Sequence, residues 1–209
     1  MEIALNDIAK SFGREVVVQG FTRTLASGSR TAILGPNGSG KSTLLQLIAG
    51  ALIPTRGSIA HRLNGEHVPT DRVYSHLSIA APYLGLYEDL SLRQAIAFHA
   101  GFKPLRAGIT LEGLARIAYL EHALDKPVLH FSSGMKQRLK LALAILTDAP
   151  LLLLDEPASN LDAEATEWFR ALLREHIDDR TLVVASNRQT AEHDLCGDRI
   201  ELGASHRRD

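Results

Sequence analysis

Apolar positions change their spacing several times along the chain, and these changes predict its elements. Residues 1–29 alternate in short runs, which predicts strands of an antiparallel arm with turns at 12–14 and 26–28. Residues 31–34 read as a short buried strand, and residues 41–49 have the spacing of a helix that ends before a glycine. Residues 151–155 form a continuous apolar run closed by an aspartate, which is typical of a parallel strand covered on both faces.

A helical segment at residues 85–147 interrupts this strand-rich pattern. Ser91 and Gln94 have the spacing of a capping box, in which each side chain satisfies the other end of the first helical turn. Helices are predicted from this cap to about Gly101 and over 111–123, 134–147 and 162–177, with Asp162 as the cap of the last one. Strands are predicted within 74–81, where the chain returns to the central sheet, and at 181–185, as the last buried strand. The pattern indicates an α/β domain with a parallel central sheet, an antiparallel β arm and an inserted helical subdomain.

A glycine-rich loop joins the strand at 31–34 to the helix at 41–49. It matches the pattern G-x-x-x-x-G-K-[ST], in which glycine backbone amides curl around phosphate oxygens and the helix start adds partial positive charge. Lys41 would add a charge near the β- and γ-phosphates, and the Ser42 hydroxyl could ligate Mg²⁺. The sequence therefore predicts nucleoside triphosphate binding by Gly35, Pro36, Asn37, Gly38, Ser39, Gly40, Lys41, Ser42 and Thr43.

Two adjacent acids, Asp155 and Glu156, follow the apolar run at 151–154. A carboxylate at such a strand end can hold Mg²⁺ opposite Ser42, directly or through water, and its neighbour can polarise an attacking water. Solvated acids at a strand end would be the ordinary reading, but the upstream glycine-rich loop favours the metal and catalytic roles.

The order of motifs resembles the ATPase domain of ABC transporters over essentially the whole chain. The glycine-rich loop, a helical insert, Phe131-Ser-Ser-Gly-Met135, Leu151-Leu-Leu-Leu-Asp-Glu-Pro157 and Ser159-Asn-Leu-Asp162 follow one another as in that family. The resemblance implies a P-loop NTPase (RecA-like) core at 1–84 and 148–209 around a helical subdomain at 85–147. It also implies that ATP and Mg²⁺ are the cofactors.

The resemblance assigns roles to individual residues. It makes 35–43 the Walker A loop and 151–156 the Walker B strand, with Glu156 as general base and Lys41 as a catalytic cation. Phe12 stands where the family has an adenine-stacking aromatic residue, although an ordinary apolar residue at a strand edge is the alternative. The family's signature motif reaches the γ-phosphate held by the opposite subunit, so two sites form in a head-to-tail dimer, here a homodimer or a pair with another such ATPase. By resemblance, Ser132, Ser133 and Gly134 belong to this motif, and Asp162 to the D-loop that crosses the interface.

Four positions depart from the family pattern, and the first is Ser133, which replaces the first glycine of the signature motif. Met135 replaces the signature glutamine and cannot supply its amide hydrogen bonds. The glutamine that joins the Mg²⁺ site in the family falls at Ala81 or Pro82, neither of which has a side chain that can ligate a metal. Asn187 takes the place of the switch histidine, so it can donate one hydrogen bond to a γ-phosphate but carries no charge. His193, six residues on, is expected to be a solvated helix residue. Hydrolysis is accordingly expected to be slow rather than absent.

Composition limits the kinds of partner and cellular compartment that suit the chain. The 209 residues are 45% hydrophobic and 22% charged with a net charge of −1, which disfavours generic binding to nucleic acid. No run approaches the ~18 apolar residues of a membrane span, and the N-terminus lacks a signal-peptide pattern. The single cysteine, Cys196, fits a reducing cytoplasm. Only seven residues follow Leu202, so no C-terminal regulatory domain is expected.

These features favour the energy-coupling ATPase subunit of a membrane transporter, located in the cytoplasm and peripheral on the inner face of the cell membrane. A permease subunit is expected to dock near residues 76–100, and packing between the core and the helical insert is the alternative role of the apolar side chains there. A regulatory or mechanotransmitting ATPase on a membrane complex, and less favourably a soluble family member acting on nucleic acid or ribosomes, remain alternatives. The apolar side chains of this segment are Tyr83, Leu84, Leu86, Tyr87 and Leu90.

Overall fold

The computed structural model describes residues 1–187 and 190–203. Among these residues the strands are β1 (Glu2–Phe12), β2 (Glu15–Leu25), β3 (Arg30–Leu34), β4 (Arg56–Leu63), β5 (Glu66–Val68), β6 (Leu77–Ala80), β7 (Leu151–Asp155), β8 (Thr181–Ser186) and β9 (Asp198–Glu201). The α-helices are α1 (Lys41–Ile48), α2 (Leu92–Phe102), α3 (Leu111–Ile117), α4 (Ser133–Ile145), α5 (Ala163–His176) and α6 (Thr190–His193). Short 3-10 turns lie at Thr70–His76, Glu121–Ala123 and Val128–His130.

A parallel sheet with the order β6-β7-β8-β3-β9 forms the centre of the molecule. Its strand β7 is buried along its whole length, because alternate leucines enter two different cores. Leu152 and Leu154 pack in the core shared with the helices of the 85–147 segment and α5, whereas Leu151 and Leu153 pack with α1 and the antiparallel sheet. The predicted α/β architecture with a doubly covered parallel sheet is confirmed.

The N-terminal arm is a second, antiparallel sheet with the order β2-β1-β4-β5. Its first hairpin lies within 1–29, as the sequence pattern predicted, and β4 and β5 complete it. Gly57 lets β4 approach β1 closely. A Cβ atom at this position would lie 2.3 Å from the carbonyl oxygens of both Asn6 and Asp7, and the φ of +85° also favours glycine.

The helices of the insert follow the sequence signals at their starts and depart from them at their ends. Helix α2 begins with the predicted capping box, since Ser91 accepts from the Gln94 backbone and the Gln94 side chain accepts from Ser91. The predicted helix over 111–123 is wrong beyond Ile117. Tyr119 has a φ of +59°, which breaks the helix, and a separate 3-10 turn follows.

Two strand predictions also need correction. Within 74–81 only Leu77–Ala80 is a strand, and the residues before it continue a 3-10 turn that begins at Thr70. The strand at 181–185 is not the last one, because β9 pairs in parallel with β3 at the sheet edge. Its pattern is mostly exposed, with one buried residue, Ile200, so no apolar run announces it.

Candidate functional site

The glycine-rich loop (residues 35–43) lies at the carboxyl end of β3 and leads directly into α1. Two of its glycines lie where a side chain would not fit. A Cβ atom on Gly35 would lie 2.5 Å from Ser39 Oγ, and one on Gly40 would lie 2.9 Å from the Val17 side chain. Gly40 also has a φ of +91° and precedes α1 without a side-chain cap, so the helix start faces the loop through backbone groups.

Lys41, the first residue of α1, extends its ammonium group back under the loop. Its Nζ donates to the carbonyl oxygens of Gly35 at 3.0 Å and Pro36 at 3.1 Å, and to Asn187 Oδ1 at 2.5 Å. The residue is only 5% exposed. A buried cation is thus held at the place where the loop pattern requires a phosphate-binding charge.

Asn187 connects this cation to the acid at the end of β7. Its Nδ2 donates to Glu156 Oε1 at 2.7 Å, and Lys41 Nζ lies 3.9 Å from the same oxygen. The strand order explains the meeting, because β8 lies between β7 and β3. In the parallel register, Ser186 is level with Leu34, and Ala185 is level with Asp155. The residues that follow these three strands therefore converge at one edge of the sheet.

Glu156 has a backbone conformation that is rare for its residue type. Its φ is +47°, in the left-handed region that costs a side-chain-bearing residue roughly 1–2 kcal/mol. Its N–H donates to the Ala185 carbonyl at 2.9 Å, and its own carbonyl accepts from Ser159 at 3.0 Å. Such strain is common at functional positions. Here it occurs at the residue whose carboxylate contacts Lys41 and Asn187.

Asp155 and Ser42 fit a magnesium site by their chemistry. Asp155 is 2% exposed, and neither of its carboxylate oxygens has a hydrogen-bond partner. Burial raises its pKa, the Glu156 carboxylate adds to this increase, and the Ser42 hydroxyl and the Lys41 ammonium oppose it. A buried carboxylate without partners beside a hydroxyl offers the oxygen ligands that Mg²⁺ prefers. Among the described residues no group of three or more His, Cys, Asp and Glu residues could hold a metal ion.

A pocket of about 450 Å³ opens above the glycine-rich loop. Besides the loop and the start of α1, it is lined by Glu15 and Val17 of β2 and by Glu156. Sequence reasoning missed Glu15 and Val17, since only the pairing of the hairpin with the loop reveals them. Phe12 is level with Glu15 across the hairpin but does not line the pocket; the residue is 49% exposed, and Lys10 Nζ lies 5.1 Å from its ring centroid.

The residues predicted to reach a second subunit lie outside this pocket. Ser132 caps α4 by accepting from the Met135 backbone at 3.2 Å, and Ser133 and Gly134 begin that helix. Asp162 caps α5 in the same way, by accepting from Ala165 at 2.8 Å. The structure therefore separates these residues from the loop of their own chain, and brings together Lys41, Ser42, Asp155, Glu156 and Asn187.

The departures from the family pattern differ in their surroundings. Ala81 is buried and Pro82 exposed, and neither supplies a polar side chain. The expectation that His193 is a solvated helix residue is wrong. His193 is 6% exposed, because its short helix packs against β8 and α5.

No helix in the described parts of the chain is long and apolar enough to cross a membrane.

A parallel sheet that carries a glycine-rich loop before a helix, with a cation and two acids at its carboxyl edge, defines a P-loop nucleotide-binding protein. The model of the ABC transporter family matches residues 18–159. The chain belongs to this family and contains its ATPase domain. The family identified from the order of the motifs is thereby confirmed.

Curated relatives include both import and export ATP-binding proteins. The sulfate/thiosulfate import ATP-binding protein CysA of Thermosynechococcus vestitus is 37% identical over 183 residues, covering 86% of this chain and 54% of that protein. The cytochrome c biogenesis ATP-binding export protein CcmA of Rhodopseudomonas palustris is 36% identical, covering 83% of this chain and 84% of that protein. The chain spans about half the length of several curated relatives that it matches.

Solved structures share the whole fold. An ATP-binding subunit of an ABC transporter has a TM-score of 0.84 at 25% identity, covering 97% of this chain and 86% of that one. A bacterial ABC transporter cassette with a dimeric structure has a TM-score of 0.81 at 22% identity, covering 98% and 97% of the two chains. The P-loop fold predicted from the sequence is confirmed.

Proposed function

We propose that this protein is the ATP-binding and ATP-hydrolysing subunit of a membrane transporter, which it drives through a separate transmembrane partner. The observation that carries the proposal is the contact of Lys41, Asn187 and Glu156 at the edge of the sheet where the glycine-rich loop begins. Lys41 and Glu156 line the pocket above the loop, and the Asn187 amide is hydrogen-bonded to both, which supports their use as a phosphate-binding cation and a carboxylate base.

ATP binding uses the glycine-rich loop, residues 35–43. Its backbone amides and the start of α1 favour phosphate oxygens, and Lys41 exchanges its contact with the Asn187 oxygen for a phosphate oxygen. Ser42 and Asp155 would hold Mg²⁺, which supplies positive charge to the phosphates when it is bound. We also propose that Phe12 stacks on the adenine ring.

Hydrolysis uses Glu156 as the general base. Its carboxylate accepts a proton from the attacking water, and the hydrogen bond from Asn187 Nδ2 fixes the orientation of that carboxylate. Asn187 contributes a hydrogen bond to the γ-phosphate but no positive charge, so the transition state gains less stabilisation than a protonated histidine would give. We therefore expect slow turnover.

Turnover by the Glu156→Gln variant tests this assignment. The glutamine keeps the size and the hydrogen bond to Asn187 but cannot accept the proton, so ATP should still bind while hydrolysis falls by about a hundredfold or more. An Asp148→Asn variant, which removes an acid outside the pocket, is the matched control and should keep wild-type turnover. Equal turnover by wild type and Glu156→Gln would end the proposed mechanism.

We propose that the active form is a head-to-tail dimer, either a homodimer or a pair with another ABC ATPase. Ser132, Ser133 and Gly134 lie at an exposed helix start outside the pocket of their own chain, which suits contact with ATP held by the second subunit. Asp162 belongs to the loop that would cross the interface. The domain is accordingly a nucleotide-binding core, 1–84 and 148–209, with a helical subdomain, 85–147.

This chain has a surface beside the helical subdomain that is suitable for a membrane partner. An apolar groove of about 380 Å³ lies between α1, the 3-10 turn at 70–76 and the segment after β6. Tyr74, Tyr83 and Leu84 line it with 65%, 46% and 38% of their surface exposed. Exposed apolar surface of this kind favours a protein contact. Leu86 and Leu90, by contrast, pack against the core, which is the alternative role expected for the apolar side chains of this segment.

We propose that a permease subunit docks in this groove, which would make the protein peripheral on the inner face of the cell membrane. No role in nucleic-acid binding is proposed, in keeping with the net charge of −1. Recovery of a polytopic membrane protein from detergent-solubilised native membranes, with tagged Glu156→Gln protein and Mg-ATP as bait, tests the partner. Leu84→Asp should reduce this recovery, and Ile53→Asp, at an exposed apolar residue outside the groove, should not. Recovery of soluble proteins alone would oppose the transporter role.

A further inference from the structure

One peptide group next to the catalytic edge is held from both sides. The Pro157 carbonyl accepts a hydrogen bond of 2.8 Å from Gln137 Nε2, and the Ala158 N–H donates one of 3.0 Å to Glu192 Oε1. These two backbone groups belong to the same peptide unit, the one between Pro157 and Ala158. Rotation of this unit is therefore opposed by two side chains from different parts of the chain.

Glu192 also contacts the strand that precedes Asn187. Its second carboxylate oxygen, Oε2, accepts from the Ser186 hydroxyl, and the residue is only 2% exposed. Ser186 ends β8 and immediately precedes Asn187. The Glu192 side chain thus joins the segment after β7 to the segment after β8.

Gln137 joins the same peptide unit to the helix that Ser132 caps. It lies on α4, one turn after Ser133, and its side chain reaches the carbonyl of Pro157, the residue that follows Glu156. The three segments connected in this way carry the exposed helix start, the acid and the neutral amide of the proposed mechanism.

We propose that Gln137 and Glu192 are positioning residues that fix the Pro157–Ala158 peptide unit and, through it, the contact between Glu156 and Asn187 that hydrolysis requires. The proposal rests on the proposed role of Glu156 as general base. The backbone of Glu156 is strained at a φ of +47°, so its carboxylate keeps its place only if the following peptide unit is held. Neither side chain contacts ATP in this mechanism, since both act through the backbone.

Geometry rather than charge is the property that matters at position 192. A glutamine there can accept from the Ala158 N–H through its oxygen and donate to the Ser186 hydroxyl through its nitrogen. Burial raises the pKa of Glu192, and the hydrogen bonds from the Ser186 hydroxyl and the Ala158 N–H partly oppose this increase. Glu192→Gln should therefore behave like the wild type, whereas Glu192→Ala removes both bonds.

The test measures kcat and ATP affinity for Glu192→Ala, Glu192→Gln and Gln137→Ala. A misplaced carboxylate lowers the rate more than binding, so each alanine variant should lose on the order of tenfold in kcat or more while the ATP Kd changes by less than about threefold. Glu192→Gln should keep kcat within about twofold of the wild type. The matched control is Cys196→Ala, which changes a buried residue in the segment that follows α6. Cys196 has no contact with the peptide unit, so this variant should keep both values.

Combination with Glu156→Gln separates this proposal from the mechanism on which it rests. If Glu192 and Gln137 act through Glu156, their alanine variants should add no further loss in the Glu156→Gln protein. Wild-type turnover by Glu156→Gln itself would instead refute the general-base assignment. Two outcomes would refute the positioning role alone. One is a lower kcat in Glu156→Gln with wild-type kcat in Gln137→Ala and Glu192→Ala. The other is an equal loss of kcat in Glu192→Gln and Glu192→Ala. If Glu192→Ala does not fold, Gln137→Ala decides, because Gln137 is only half-buried.

Discussion

The side-chain nitrogen of Asn187 donates a 2.7 Å hydrogen bond to Glu156 Oε1, while its oxygen accepts one of 2.5 Å from Lys41 Nζ. A neutral amide therefore separates a buried cation from an acid that is only 3.9 Å away. Because an amide has a donor and an acceptor, it satisfies both partners at once without a proton exchange. A phosphate that enters the loop must compete with this oxygen for Lys41.

Asn187→His should preserve or raise the rate of ATP hydrolysis. A histidine can donate the same hydrogen bond to the γ-phosphate and can also carry a positive charge in the transition state. Asn187→Ala should lower kcat by roughly tenfold or more, since both of its bonds to Lys41 and Glu156 are lost. Steady-state phosphate release measures both variants. A large loss in Asn187→His would show that the amide has a role that an imidazole cannot perform.

Gly40→Ala should weaken ATP binding more than Gly38→Ala. Both glycines have a positive φ, at +91° and +79°, so both variants carry backbone strain of about 1 kcal/mol. Only the alanine at position 40 would also meet the Val17 side chain, at 2.9 Å, and its carbonyl oxygen, at 3.0 Å. We expect its ATP Kd to rise by at least about tenfold relative to Gly38→Ala in a direct binding titration. Equal affinities would mean that the hairpin moves aside without cost.

Arg180→Met should reduce the stability of the fold. Arg180 is 5% exposed, and its guanidinium donates to Ala149 O, Ile145 O and Ser78 Oγ at 2.7–2.8 Å, so it joins the segment before β8 to β6 and α4. Burial lowers its pKa to about 10, mainly by desolvation. Loss of these donors leaves buried acceptors without partners, which should cost on the order of 2–4 kcal/mol in urea unfolding. Arg93→Ala, at an exposed ion pair, is the control, and an equal effect there would contradict the assignment.

Stability should fall as the pH drops below about 6.5, in part because of His61. Its Nε2 lies 2.7 Å from the Ile48 carbonyl oxygen, and its buried Nδ1 has no hydrogen-bond partner. Burial lowers the pKa of His61, the Ile48 carbonyl opposes this, and His67 adds to it.

The direction of the pH effect follows from the two protonation states. Between the lowered folded pKa and the unfolded value of about 6.5, the unfolded chain binds a proton that the folded protein does not, so acid favours unfolding. Urea midpoints at pH 7.5, 6.5 and 5.5 measure this effect in the wild type. His61→Gln keeps a donor for the Ile48 carbonyl but does not titrate, so its midpoints should depend less on pH. Parallel curves for the two proteins would exclude His61 as a source of the effect.

Local sequence was sufficient to predict the structure of segments whose conformation depends on neighbouring residues alone. The glycine-rich loop, the capping box of Ser91 and the cap at Asp162 all lie where their residue types indicated, because each depends on contacts within three or four residues. The apolar run at 151–154 also determined a strand covered on both sides. Where local signals were mixed, as around Tyr119 or before Leu77, the predicted element extended too far.

Tertiary structure decided which of these segments meet. The sequence by itself determined the family, the α/β fold, the phosphate loop and the acids at 155–156, since their spacing is local and specific. Strand order places Asn187 between Lys41 and Glu156 and adds β9 at the sheet edge. The packing of helices on the sheet buries His193 and brings the Pro157–Ala158 peptide between Gln137 and Glu192. These contacts join residues 20 to more than 100 positions apart. Their partners are selected by how buried surfaces pack and by which polar groups can then pair, and no period or motif along the chain records that choice.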